Sequence, residues 1–127
     1  DEAWSFLQVA QGKTLSNKLV RAGRAMNAGV YFVTQNSDDL LDERLKNNIG
    51  LKFAFRSTDI HEIKKTLEFF GLDQEDESNQ KRLRDLENGQ CLMQDLYGRV
   101  GVVQVHPVFE ELFHAFDTRP PVQERME

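Results

Sequence analysis

The chain has 127 residues, enough for one domain around one modest core, and its 39% apolar and 29% charged residues are ordinary for a globular protein. A net charge of −5 speaks against a surface built to coat nucleic acid, while leaving room for a local basic groove. No apolar run nears membrane-spanning length, the lone Cys91 excludes an internal disulfide and suits a reducing cytosol, and the scattered histidines lack metal-ligand spacing.

In chain order, Asp1-Glu2-Ala3-Trp4 reads as the acidic end of a strand, a Walker B pattern, with Trp4 a packing residue. Gly12-Lys13-Thr14 looks like the tail of a phosphate-binding loop, but the position where G-x-x-x-x-G-K-[ST] needs its first glycine holds Leu7. The tripeptide is therefore read as a loop entering a helix. Leu15, Leu19, Ala22 and Met26 recur at helical spacing and predict an amphipathic helix from Leu15 to Asn27, stopped by Asn27-Ala28-Gly29. Val30-Tyr31-Phe32-Val33-Thr34 has no polar alternation, as expected of a strand buried on both faces and hence parallel.

Ser37 then offers an N-cap, and Leu40, Leu41, Leu45 and Ile49 form the stripe of a second helix that ends at Gly50. Leu51, Phe53 and Phe55 alternate with polar or small residues, predicting another strand. Asp59 and Glu62 have capping-box spacing ahead of a helix lined by Ile60, Ile63, Leu67 and Phe70, and Gly71 closes it. A charged stretch follows, with a short helix around Lys81 to Leu86. Gln90–Asp95 and Val100–His106 flank Leu96-Tyr97-Gly98-Arg99 as a β-hairpin, and Val108, Leu112, Phe113 and Phe116 mark a terminal helix. Phe53, Phe55, Phe69, Phe70, Phe109, Phe113 and Phe116 are expected in the core, His61 and His114 on the surface, and Cys91 as a small buried hydrophobe. This order of elements predicts an α/β sandwich.

Three groups of residues could carry chemistry. If Asp1-Glu2 ends a parallel strand, Asp1 can hold Mg²⁺ against the outer phosphates of a nucleotide and Glu2 can orient or deprotonate the attacking water. Gln35 would close the buried 30–34 strand at its carboxyl end, where open α/β sheets bind ligands, and could hydrogen-bond a γ-phosphate or that water. Capping the Ser37 helix explains Gln35 equally well. Arg21 and Arg24 lie late on the first helix, where a cation suits the helix dipole, yet either could serve as an arginine finger across a subunit interface. Arg56, after the second strand, is a further candidate. Arg99 is read as an exposed turn residue.

The ordered set DEAW, RAGRAMNAGVYFVTQNSDDLL, NNIGLKFAFRSTD, LENGQCLMQDLYGRVGVVQVH and AFDTRP resembles the carboxy-terminal part of the conjugation and type IV secretion ATPases, the TraC/VirB type within the HerA–FtsK group of RecA-like P-loop motors. The L-x-x-G-Q-C-L-x-x-D-x-x-G-R-x-G segment is similar to the branch found on Gram-positive conjugative elements. The resemblance implies a mostly parallel sheet flanked by helices, with a terminal β-hairpin and helix. It also implies a partial RecA-like ATPase domain over residues 1–117 and a flexible tail over 118–127. On the same ground Asp1 is the Walker B aspartate and metal ligand, Glu2 the catalytic glutamate and Gln35 the sensing glutamine. Arg24 matches the arginine-finger position best, ahead of Arg21 and Arg56. The implied cofactors are ATP and Mg²⁺. The implied partners are further copies in a hexamer and secretion-channel components at the cytoplasmic face of the membrane, with direct nucleic-acid binding left open.

The phosphate-binding loop and its lysine are missing from this sequence, as are the apolar residues expected before Asp1. The chain alone is therefore expected not to hydrolyse ATP. A DNA-translocating motor of the same group and a non-enzymatic α/β interaction domain are the alternative readings.

Overall fold

The computed structural model describes Ser5, residues 7–40 and residues 42–119. Their order is α1 (Ala10–Ala22), a 3₁₀ turn (Ser37–Leu40), α2 (Glu43–Lys46), β1 (Lys52–Ala54), α3 (Ile60–Phe69), α4 (Glu77–Arg84), β2 (Gln90–Gln94), β3 (Val100–Gln104) and α5 (Glu110–Phe116). The result is a small α/β structure with a three-stranded antiparallel sheet in the order β1-β2-β3.

The hairpin forms where the sequence places it. Gly98 takes the left-handed φ of 79° that its turn requires. The Asp95 carboxylate accepts from the Tyr97 N–H at 2.9 Å and from the Arg99 N–H at 3.0 Å, winding the loop into place. Arg99 is tied down as well, with Nε donating to Asp95 Oδ2 at 2.6 Å and the guanidinium 5.4 Å from the Tyr97 ring centre, so it is a turn-closing residue rather than a free one. The register sets Leu92 opposite Val102 and, on the other side, opposite Ala54.

Helix α3 lies on that sheet and organises the core. Ile63 and Leu67 are fully buried, with Phe69, Phe70, Leu83, Leu86 and Leu92 around them. The end of α3 is capped from the sheet. Lys52 Nζ donates to the Phe69 carbonyl at 2.9 Å, and Gln94 Nε2 donates to the Phe70 carbonyl at 3.0 Å. A cation and an amide thus satisfy carbonyls that a helix terminus otherwise leaves open. Burial, reinforced by Lys46, holds the Lys52 ammonium below its usual range. Asp59 starts α3 by accepting from the His61 N–H.

Several expectations are corrected. The sheet is antiparallel among the described residues, because its strands are a hairpin and a third strand laid back along it, and no parallel pairing occurs. Residues 30–34 form no strand: no neighbouring segment supplies ladder partners, and Tyr31 is 93% exposed. The second helix is broken in two, because Asp42 accepts from the N–H groups of Arg44 and Leu45 and starts α2 afresh; Leu41 lies outside the described residues.

Helix α1 begins earlier than its leucine spacing suggests, so Gly12-Lys13-Thr14 lies within it. Its buried side is Gly12 and Ser16, and Leu15 and Met26 face outward. The regular helix ends at Ala22, and irregular turns continue to Asn27, whose φ of 51° reverses the chain at the expected stop.

Of the phenylalanines expected inside, only Phe69 and Phe70 are buried. α3 covers the face of the sheet that carries Lys52 and Ala54, which turns Phe53 and Phe55 outward, while α5, with Phe113 and Phe116, has no buried residue. Cys91 is fully buried, which pushes its thiol above the usual range, and His61 and His114 are exposed, all as expected.

Candidate nucleotide site

Asp1 and Glu2, together with Trp4, lie outside the described residues. Gln35 is described, and it sits at an exposed bend without any hydrogen-bond partner among the described residues. It does not cap the helix that follows. That role falls to Asn36, whose Oδ1 accepts from the Asp38 N–H at 3.0 Å. Thr34 Oγ1 accepts from the Asn36 N–H at 3.2 Å, folding a small turn around Gln35 and directing the chain outward there.

Immediately after Gln35 the chain is fastened down. The Ser37 N–H donates to Glu62 Oε1 at 2.7 Å, and Ser37 Oγ pairs with Thr66 Oγ1 at 2.8 Å. Lys65 closes on Asp38, a hydrogen bond that holds its ammonium above the usual range. Leu40, at the end of the same 3₁₀ turn, is buried in the core. Glu62 therefore serves the Ser37 backbone, and the reciprocal capping box expected with Asp59 does not form.

The arginines fall into separate places. Arg21 is exposed on the last turn of α1, and Arg24 lies in the turns just beyond, next to Gly23. A Cβ on Gly23 would come within 2.5 Å of the Leu19 carbonyl oxygen and 2.6 Å of the Ala28 carbonyl oxygen, so glycine is required for the chain to fold back past Arg24. Arg56 is exposed after β1. None of the three forms an ion pair among the described residues, and they do not share a site. The structure joins Arg21 with Arg44 of α2 instead, along a groove between the two helices. Arg44 was missed in the sequence because its helix was read as one continuous stripe; the Asp42 cap two residues earlier was the available signal.

The residues present fit a nucleotide only in part. The Lys13 N–H is committed to the Val9 carbonyl inside α1 at 3.0 Å, so Gly12-Lys13-Thr14 offers no backbone cradle for phosphates. Among the described residues, the Gln35 amide and the guanidiniums of Arg21, Arg24 and Arg56 have no partner.

The family described as AAA-like domain matches residues 1–116. The "Uncharacterized protein YddE" of Bacillus subtilis (strain 168) is 34% identical over 118 residues, covering 93% of this chain and 14% of that relative. The chain thus spans about one seventh of the length of the curated relative it matches. No solved structure matches it. With a match over nearly its whole length, the chain belongs to the AAA-like domain family.

Proposed function

We propose that this chain is part of a longer ATP-hydrolysing motor that energises conjugative DNA transfer or type IV secretion. In this reading Asp1 holds Mg²⁺, Glu2 orients or deprotonates the attacking water, and Gln35 hydrogen-bonds the γ-phosphate or that water. Arg24, with Arg21 and Arg56 as the other candidates, neutralises charge on a neighbouring copy's phosphates. Residues 1–117 belong to a RecA-like domain whose remaining strands come from the rest of the protein; of the tail expected over 118–127, residues 120–127 lie outside the described residues. The motor works as a hexamer in the cytoplasm, held to the inner face of the membrane by secretion-channel partners.

The observation that carries this reading is Gln35, an unpaired amide set beside a turn fastened to α3, in a chain of the AAA-like domain family. Bound Mg²⁺ and ATP supply the reacting phosphate and its charge neutralisation. The chain's own part is to position water and report occupancy through residues 35–40 to α3. With the Gly12-Lys13-Thr14 segment taken up in α1, phosphate cradling must come from elsewhere in the longer protein.

The test uses the longer natural protein beside the 127-residue chain. Glu2→Gln in the longer protein should lower kcat by about 10²–10⁴-fold, the range for a positioned acid–base group, with KM little changed. The isolated chain should release no phosphate above buffer. Unimpaired turnover in the Glu2→Gln protein would refute the assignment.

A further inference from the structure

We propose that the groove between α1 and α2 binds the phosphodiester backbone of single-stranded nucleic acid. The groove has a volume of about 680 Å³ and is lined by Lys13, Asn17, Lys18 and Arg21 from α1 and by Asp42 and Arg44 from α2. Lys13, Asn17 and Arg21 are spaced four residues apart, so they form one row along the helix, roughly 12 Å long at 1.5 Å per residue. Lys18 flanks that row, and Arg44 faces it from α2.

Four cations against one carboxylate leave a net +3 here, in a chain whose net charge is −5. The single acid is already engaged, because Asp42 Oδ1 accepts from the backbone N–H groups of Arg44 and Leu45. None of the four cations has an ion-pair partner among the described residues. Elsewhere Lys64, Lys65, Arg99 and Arg119 all close on carboxylates. Cations gathered in a concavity and left unpaired repel one another, a cost that a polyanion removes.

A second, independent feature points the same way. Asn17 Oδ1 is buried and has no hydrogen-bond partner among the described residues. A buried amide without a partner is costly. The other end of that amide, Nδ2, stays accessible along the groove and can donate to a phosphate oxygen held by the flanking cations. The groove lining includes Ala10 and Ala22 and none of the large aromatic anchors that protein interfaces favour among the described residues. No aromatic residue lines it among the described residues, and backbone contacts of this kind should make binding tolerant of sequence. A backbone with one charge per unit suits these cations without such anchors.

Lys13, Lys18 and Arg44 have no part in the ATPase assignment, so the test separates the two proposals. A fluorescent oligothymidine is titrated with the chain, followed by anisotropy across a salt series. The log–log salt slope should be near −2, at about −0.7 for each of roughly three neutralised phosphates. Lys13→Gln with Lys18→Gln should weaken binding at least tenfold and flatten the slope by about 1.4. Arg44→Gln, placed on α2 and independent of how α1 packs, should weaken binding and flatten the slope by about half that amount. The charge-matched pair Lys81→Gln with Arg84→Gln, on α4, should change affinity less than twofold. Equal losses in the two double variants, unchanged binding in the Arg44 variant, or an absent salt slope would overturn the proposal. So would displacement of the strand by polyglutamate as readily as by unlabelled oligonucleotide.

Discussion

Around α3 the polar groups at element ends find partners within the chain, whereas along residues 23–36 most side chains face outward, Phe32 excepted, and the Gln35 amide has no partner among the described residues. The two regions differ little in apolar content. They differ in the distance to the partner each needs. The hairpin finds its ladder across a turn, and α3 is capped by Lys52 and Gln94 from the strands it covers. The run from Val30 to Thr34 carries the residues of an interior strand, yet an interior strand is made by its neighbours, and none lies beside it here. Folding that rests on nearby contacts is complete in one region, and the other is held by the turns of 23–28, by Phe32 against the core and by the Ser37 anchor to α3.

The contrast is broken most forcefully through the core. Leu67→Ala empties a fully buried position and should cost about 2–5 kcal/mol in urea or thermal unfolding, enough to unfold a chain of this size. Hydrogen exchange sharpens the same point: amides of α3 and β2 should lose protection together, while those of 30–36 exchange fast in both proteins. Equal protection of 30–36 and α3 in the unmutated chain would end the comparison.

A smaller change tests the anchor. Ser37→Ala removes the hydroxyl pair with the buried Thr66 and should cost about 1 kcal/mol, the usual net value of one hydrogen bond. Exchange around Gln35 should quicken, with α4 unaffected. A loss of protection spread evenly over the molecule would show that the anchor is part of the core.

The smallest effect is at the far end of the described chain. Hydrogen bonds from Arg119 hold the Asp117 carboxyl down at about 2. Because the folded value is depressed, the pair persists through the ordinary carboxylate range and dissolves only as pH falls through about 2. An NMR titration should show this midpoint, and Arg119→Gln should return it toward the ordinary value. Global stability should hardly move, since the pair is exposed.

What could be read in the sequence follows the same division. Asp59 before a 3.6-residue apolar repeat, and Tyr97-Gly98-Arg99 between two β-rich runs, are signals that act within a few residues, and both gave the observed element. The alternation in 51–56 located β1 correctly but assigned its faces the wrong way round. Which side a helix covers is a tertiary fact, and here α3 took the side with Lys52. The stripe on α1 misled for a related reason: small residues, Gly12 and Ser16, make the close contact, and such contacts leave no hydrophobic periodicity. Of the candidate site, Gln35 and the arginines could be nominated by position, but the Ser37–Glu62–Thr66 anchor could not, since Ser37 is more than twenty residues from either partner and carries no pattern that points to them.

The outward side of β1 has a practical consequence. Phe53 is 52% exposed and Phe55 65% exposed, beside Leu51 on the same short stretch. A greasy strip of this kind adsorbs to column resins and to other copies as concentration rises. Replacing both phenylalanines with threonine, which keeps the preference for extended backbone, should give a preparation that concentrates without loss and leaves the packing beneath α3 untouched.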